Sequence, residues 1–200
     1  MKHYKFLDVG CKIGGSFEIS KKFGYNKNEG LGIDINESSV KNFTNKGYNG
    51  MVADATNLPF EDNSFELVIF SHVIEHLPNE ELGKKCFDEC LRVSSKYLFL
   101  ALPFFDEDSY LNSLGLKTFY SDWTGHKNKI TLSKIIKDYL IGLDYEIKMV
   151  KKLNNSNHKE ILPINAPKDS FNYDFKLHGK KSEIIFDRDI WREFSILIKK

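Results

Sequence analysis

Short apolar runs punctuate the first hundred positions, and the segments between them repeat their apolar residues every three or four places. YKFLDV (4–9), GLGIDI (30–35), MVADA (51–55), FELVIFS (65–71) and KYLFLALP (96–103) have the length and the β-branched or aromatic content of strands. FELVIFS is a continuous apolar run, the pattern of a parallel strand covered on both faces. Between these runs, SFEISKKFG (16–24), SSVKNFTNKG (38–47) and NEELGKKCFDECLRVS (79–94) read as helices, the second opened by serine and closed by glycine. After residue 103 the rhythm breaks. Residues 104–129 are rich in aromatic and polar residues without a sustained period. TLSKIIKDYLIGL (131–143) then resumes as a helix and YEIKMVKKL (145–153) as a strand. A second irregular stretch covers about 154–188, and REFSILIK (192–199) reads as the last strand. Irregular stretches of this length inside a compact domain are lids, binding loops or disorder. Alternating strand and helix predict an α/β fold, an open parallel sheet with helices on both faces, in a single domain over 1–200 with insertions at 104–129 and 154–188.

Composition narrows the class of function. A length of 200 residues suits one core, and 41% hydrophobic with 28% charged residues is ordinary for a globular chain. A net charge of +1 gives no global field toward nucleic acid or anionic membrane. The start, MKHYKFLDVG, enters a strand directly with no secretory h-region, and no apolar run reaches the roughly 18 residues of a membrane helix, so a cytoplasmic location is the default expectation. Three cysteines form no disulfide framework. Cys86 and Cys90 share one helical stripe with Leu82, Phe87 and Leu91, which reads as core rather than as a metal site.

In an open parallel sheet, ligands bind outside the carboxyl ends of the strands. The first strand ends in Asp8, Gly10, Cys11, Lys12, Gly14 and Gly15, where glycines allow a sharp turn and close approach to a ligand. The second ends in Asp34, placed to accept hydrogen bonds from both ribose hydroxyls of a nucleoside; alone, it could equally cap the helix that follows. The third ends in Asp54 and Ala55, a carboxylate and a backbone N–H suited to an adenine edge. The fourth ends in Ser71 and His72.

FLDVGCKIGG, GLGIDIN, ADATNLPFEDNSFELVIFSHVIEHL and LRVSSKYLFLALP, in that order over about residues 4–103, resemble the class I S-adenosylmethionine-dependent methyltransferases, in particular the small-molecule branch. The resemblance implies a Rossmann-like open, mostly parallel seven-stranded sheet with an antiparallel strand near the C-terminus. It implies S-adenosylmethionine as cofactor and S-adenosylhomocysteine as product. Asp8, Gly10, Cys11 and Gly14 would then surround the methionyl part, Asp34 the ribose, and Ile35 the adenine face. Asp54 and Ala55 would read the adenine edge, and Ser71 would line the methionyl end through its backbone. One departure stands out: Lys12 occupies the usual middle glycine, so its side chain must point away from the cofactor or pair with its carboxylate.

SHVIEHL (71–77) also contains H-x-x-E-H, a spacing of some zinc peptidases. Its first histidine closes a strand and Pro78 closes the next turn, so no helix can converge both histidines on a metal, and no metal is expected there. G-x-G-x-x-G for a dinucleotide is incomplete, since Lys12 replaces its second glycine. For methyl transfer, a base is needed only when the acceptor must lose a proton. His72 and His126 are the candidates on the ligand side, set against core and loop roles. Tyr110, Tyr120 and Trp123, in the loop after strand five, are candidates to shape the acceptor site, or simply to anchor that loop. No basic stripe with interleaved aromatics borders the pocket, so a small-molecule acceptor is expected rather than nucleic acid or a membrane, and a homodimer is left open. The function expected is O-methylation of a small polar acceptor such as a sugar, sugar nucleotide or surface-polymer precursor. The alternative is a non-catalytic, cofactor-binding partner subunit.

Overall fold

The computed structural model describes residues 4–200; residues 1–3, at the head of the N-terminal segment read for targeting, lie outside it. In chain order the elements are β1 (Phe6–Val9), a 3-10 helix (Ser16–Phe23), β2 (Gly30–Asp34), α1 (Glu37–Asn45), β3 (Gly50–Val52), β4 (Phe65–Ser71), α2 (Glu80–Val93) and β5 (Ser94–Pro103). They continue with α3 (Asp108–Ser113), β6 (Leu116–Thr118), α4 (Leu132–Asp138), β7 (Asp144–Asn155), β8 (Ile161–Pro163), α5 (Phe175–His178) and β9 (Ile185–Lys199).

Seven strands form one sheet in the order β3-β2-β1-β4-β5-β9-β7. Strands β1 to β5 pair in parallel, and β9 runs antiparallel between β5 and β7. This is the Rossmann-like, mostly parallel arrangement with one antiparallel strand near the C-terminus. The continuous apolar run of β4 has its reason in two-sided burial. Val68 and Phe70 pack into the cluster with Cys86, Phe87 and Cys90 of α2 and Ile135 of α4. Leu67 and Ile69 pack with Phe17 and Phe43 on the opposite face. Each large apolar side chain buried this way contributes about 1.5–3 kcal/mol. All three cysteines are buried and free, as core residues should be. Because β1 lies between β2 and β4, strand order reverses at its carboxyl end, and a crevice opens there.

Several boundaries differ from the sequence expectation. The first helix is 3-10, α4 stops at Asp138 rather than 143, β3 is only three residues long, and α1 is capped by Asn36, whose side chain accepts the Ser39 N–H, rather than by a serine. The largest difference lies in the two irregular stretches, which are not separate loops. β6 pairs antiparallel with β8, and Leu111, Leu116, Leu153, Ile161, Phe186 and Ile190 form a third apolar cluster. That cluster sits on a ribbon: β9 meets β5 only from Glu193 onward, but pairs with β7 back to Ile185. The strand 185–191 escaped notice because Arg188 interrupts the alternation between Phe186 and Ile190, its guanidinium lying 4.1 Å over the Tyr110 ring.

Candidate functional site

Asp8, the third residue of β1, is fully buried. Ser16 donates to its Oδ2 at 2.8 Å, while Oδ1 has no hydrogen-bond partner. Burial pushes this carboxyl up to about 7, against the Ser16 hydrogen bond. A buried acceptor without a donor is uncommon and marks a place where a ligand's N–H or ammonium fits. The turn that follows is held by the Gly10 and Cys11 N–H groups, both donated to the Ile33 carbonyl at 2.8 and 2.9 Å. Gly10 has φ of 76°, and a Cβ there would come 2.5 Å from Val73 Cγ2, so only glycine fits. Lys12 takes the left-handed conformation, φ 42°, in the place of the usual glycine. Its N–H donates to Asp34 Oδ2 at 3.1 Å and its side chain is exposed. The substitution therefore keeps the shape of the turn, at a backbone cost of about 1–2 kcal/mol.

Asp34 is fastened from both sides, since the Asn36 N–H reaches its other oxygen at 2.9 Å. Beside it Ile35 is 72% exposed, an apolar surface next to a carboxylate, as a nucleoside requires. Asp54 is exposed, holds the Thr56 N–H at 2.8 Å and is followed by half-buried Ala55. A cavity of about 770 Å³ opens beside the turn, bordered by Gly10, Lys12, Ser16, Ser71, Phe99 and Ser195. Of the expected cofactor set, Gly10, Cys11 and Ser71 border this cavity, whereas Asp8, Gly14, Asp34, Ile35, Asp54 and Ala55 do not. Cys11 borders this cavity, but its side chain is buried in the cluster with Phe17 and Phe43, and burial pushes its thiol up to about 12. Gly14 does not border it; a Cβ there would meet the Phe43 and Tyr48 rings at 3.2 Å, so its role is to let that aromatic stack approach. The orphaned Asp8 oxygen, the glycine turn and the Asp34–Ile35 pair together fit S-adenosylmethionine.

Residues 7–97 match the family model described as a methyltransferase domain. Over those 91 of its 200 residues the chain is similar to methyltransferase domains. The chain is 32% identical over 87 residues to tRNA (carboxymethyluridine(34)-5-O)-methyltransferase of Arabidopsis thaliana, covering 44% of this chain and 20% of that one. It is 34% identical over 103 residues to ajmaline N-methyltransferase of Rauvolfia serpentina, covering 47% and 33%. It thus spans a third or less of the length of these two relatives. The fold is that of a SAM-dependent methyltransferase from Archaeoglobus fulgidus, at a TM-score of 0.61 and 24% identity over 99% of this chain and 88% of that one. The fold, and the family model matched over residues 7–97, are those of methyltransferases that use S-adenosylmethionine.

The chain has a second cavity, of about 240 Å³, which shares Lys12, His72 and Glu193 with the first. His72 closes β4 with φ of 55°. Its Nδ1 lies 3.1 Å from Glu75 Oε1 and its Nε2 3.4 Å from Glu193 Oε2. Burial alone would lower its pKa, but hydrogen bonds to Glu193 and Glu75 outweigh that and hold it up to about 9. An imidazolium has no lone pair for a proton, so this shift weighs against the expected general base at His72. The side chain instead places a positive charge in the wall between the cavities.

His126 is buried, and its Nδ1 donates to the Tyr120 carbonyl at 2.8 Å. Burial pushes it below the ordinary imidazole range, which favours the neutral ring, and with Nδ1 donating, that ring's acceptor is Nε2. Trp123 borders this cavity, edge-on to both His76 and His126. Tyr120 contributes only its ring, because its hydroxyl lies between the carbonyls of Phe104, at 3.2 Å, and Trp191, at 3.0 Å. Tyr110 is corrected outright. It borders neither cavity, packs against Phe186 and Arg188, and receives the Asp187 N–H on its hydroxyl. Sequence reasoning passed over Glu75, Arg192 and Glu193. Glu75 was visible in H-x-x-E-H, but Glu193 had no local signal; antiparallel pairing with Pro103 brings it to the ligand side.

Proposed function

We propose that this chain transfers the methyl group of S-adenosylmethionine to a hydroxyl of a small polar acceptor such as a sugar, a sugar nucleotide or a surface-polymer precursor. The observation that carries the reading is the pair of cavities meeting at the end of β4. One is bordered by Gly10, Lys12 and Ser16 of the glycine turn, with Asp8 buried behind Ser16 and one of its oxygens unpartnered; the other has His72, Arg192 and Glu193 as polar walls and Trp123 as an apolar one. A space of about 240 Å³ suits an acceptor of the size of a sugar ring, and charged walls suit hydroxyl groups better than an apolar skeleton. The cofactor supplies an electrophilic methyl on a sulfonium. What the chain supplies is position: the Asp8 side holds one reactant, the Trp123 side the other, and the shared wall sets their distance. Aromatic rings at Trp123, Phe119 and Tyr120 exclude water from the meeting point. A non-catalytic partner subunit is the weaker reading, because Lys12, the residue that favoured it, preserves the turn.

The test is incubation with S-adenosylmethionine and a panel of sugars, sugar nucleotides and non-sugar acceptors, following S-adenosylhomocysteine by mass spectrometry. Turnover on a hydroxyl acceptor supports the proposal. Tight cofactor binding without turnover on any member, or turnover confined to amines, overturns it.

A further inference from the structure

The second cavity contains a donor set that the proposed transfer does not use. Glu75 and His76 lie on the single 3-10 turn Ile74–His76, directly after β4. The segment after residue 122 is fastened across this turn, the Asn128 N–H donating to the Glu75 carbonyl at 3.1 Å, which carries His126 to the same place. One ligand atom from each of Glu75, His76 and His126 lies within 4.8 Å of the other two. The state of each donor is already set. His76 donates Nδ1–H to the Gly125 carbonyl at 2.9 Å, and His126 donates its own to Tyr120, so Nε2 is the nitrogen that each neutral ring offers a metal. A backbone carbonyl behind the far nitrogen is the arrangement that orients metal-ligating histidines. Glu75 is 0% exposed, and its Oε2 has no hydrogen-bond partner although Oε1 is engaged by His72. A buried carboxylate oxygen left bare beside two imidazole nitrogens calls for a cation.

We propose that Glu75, His76 and His126 bind one divalent transition-metal ion, and that an acceptor oxygen completes its coordination. Two imidazoles and one carboxylate suit zinc, cobalt, manganese or iron(II) better than magnesium or calcium, which prefer oxygen donors. Metal–ligand bonds of about 2.0–2.2 Å need only a small inward movement of these side chains. Three protein ligands leave positions open, and all three residues border the cavity that adjoins the cofactor's. The part concerning the acceptor rests on the proposed hydroxyl methylation. A hydroxyl drawn to the ion becomes more acidic, its proton passes to water, and the oxygen takes the methyl as the carbon–sulfur bond breaks.

The full chain, stripped with chelator, is titrated with Co²⁺ and with Zn²⁺, following heat and the visible absorption of the cobalt complex; Mg²⁺ serves as the comparison. One Co²⁺ per chain, weakened at least tenfold in both Glu75→Gln and His126→Gln while S-adenosylhomocysteine affinity and circular dichroism hold, supports the site. Absence of stoichiometric Co²⁺ and Zn²⁺ binding overturns it, as does unchanged affinity in both variants. Full turnover in chelator on a hydroxyl acceptor overturns the acceptor role even where metal binds. Failure of every acceptor overturns the proposed function instead, and the cobalt titration then decides the metal site by itself.

Discussion

Asp8 gives cofactor binding a pH dependence whose sign and size follow from its surroundings. Without ligand its carboxyl is held up to about 7 by burial, and one oxygen has no partner. A free α-ammonium with a pKa near 8 that docks against this oxygen requires the carboxylate form, so below about pH 7 one proton must be displaced and each further pH unit weakens binding about tenfold. Affinity for S-adenosylhomocysteine should then scale as 1/(1 + 10^(7−pH)), making binding about 25-fold weaker at pH 5.5 than at pH 7.5, or about 2 kcal/mol. Above about pH 8 the ammonium loses its own proton and affinity falls again. The free protein behaves in the complementary way. A folded pKa above the unfolded value contributes stability that is fully present below about pH 4 and lost as pH rises through about 7. Titration calorimetry from pH 5 to 9 reads the first effect, and thermal melts with and without ligand read the second. Asp8→Asn should flatten the acid limb and weaken binding near neutrality. A flat wild-type profile, or the same acid limb in Asp8→Asn, would refute the placement of the ammonium at Asp8.

Asp34→Ala should weaken S-adenosylhomocysteine binding at least tenfold by calorimetry, since two charge-assisted hydrogen bonds to ribose are lost at about 1.5–3 kcal/mol each, and Asp34→Asn should lose less. Lys12→Gly should raise the melting temperature by a few degrees, because glycine relieves about 1 kcal/mol of strain at φ 42°, with cofactor affinity retained. Gly10→Ala should lower it, since the new Cβ overlaps Val73. Trp123→Ala should raise KM for the acceptor or lower kcat, while S-adenosylhomocysteine affinity in calorimetry stays within twofold.

Much of the cofactor side was legible in the chain because its signals are local. A strand covered on both faces must read as an apolar run, so Leu67, Val68, Ile69 and Phe70 revealed β4 before any contact was known. A tight turn after β1 must draw on glycine, and Asp8, Asp34 and Asp54 each sit at the end of their own strand or turn. The acceptor side was not legible, because it is assembled from residues far apart in sequence. The antiparallel insertion of β9 brings Glu193 to His72, setting the expected base between two carboxylates that raise its pKa. The pairing of β6 with β8 draws Tyr110 away to Arg188, and the same ordered insertion holds His126 over Glu75 and His76. In SHVIEHL the strand end at His72 and the turn closed by Pro78 argued against a metal, and the third donor of the proposed set, His126, lies fifty residues downstream of His76. Local periodicity determines which faces must be buried, whereas the protonation state of a histidine and the membership of a donor set depend on neighbours that only chain crossing and strand pairing supply.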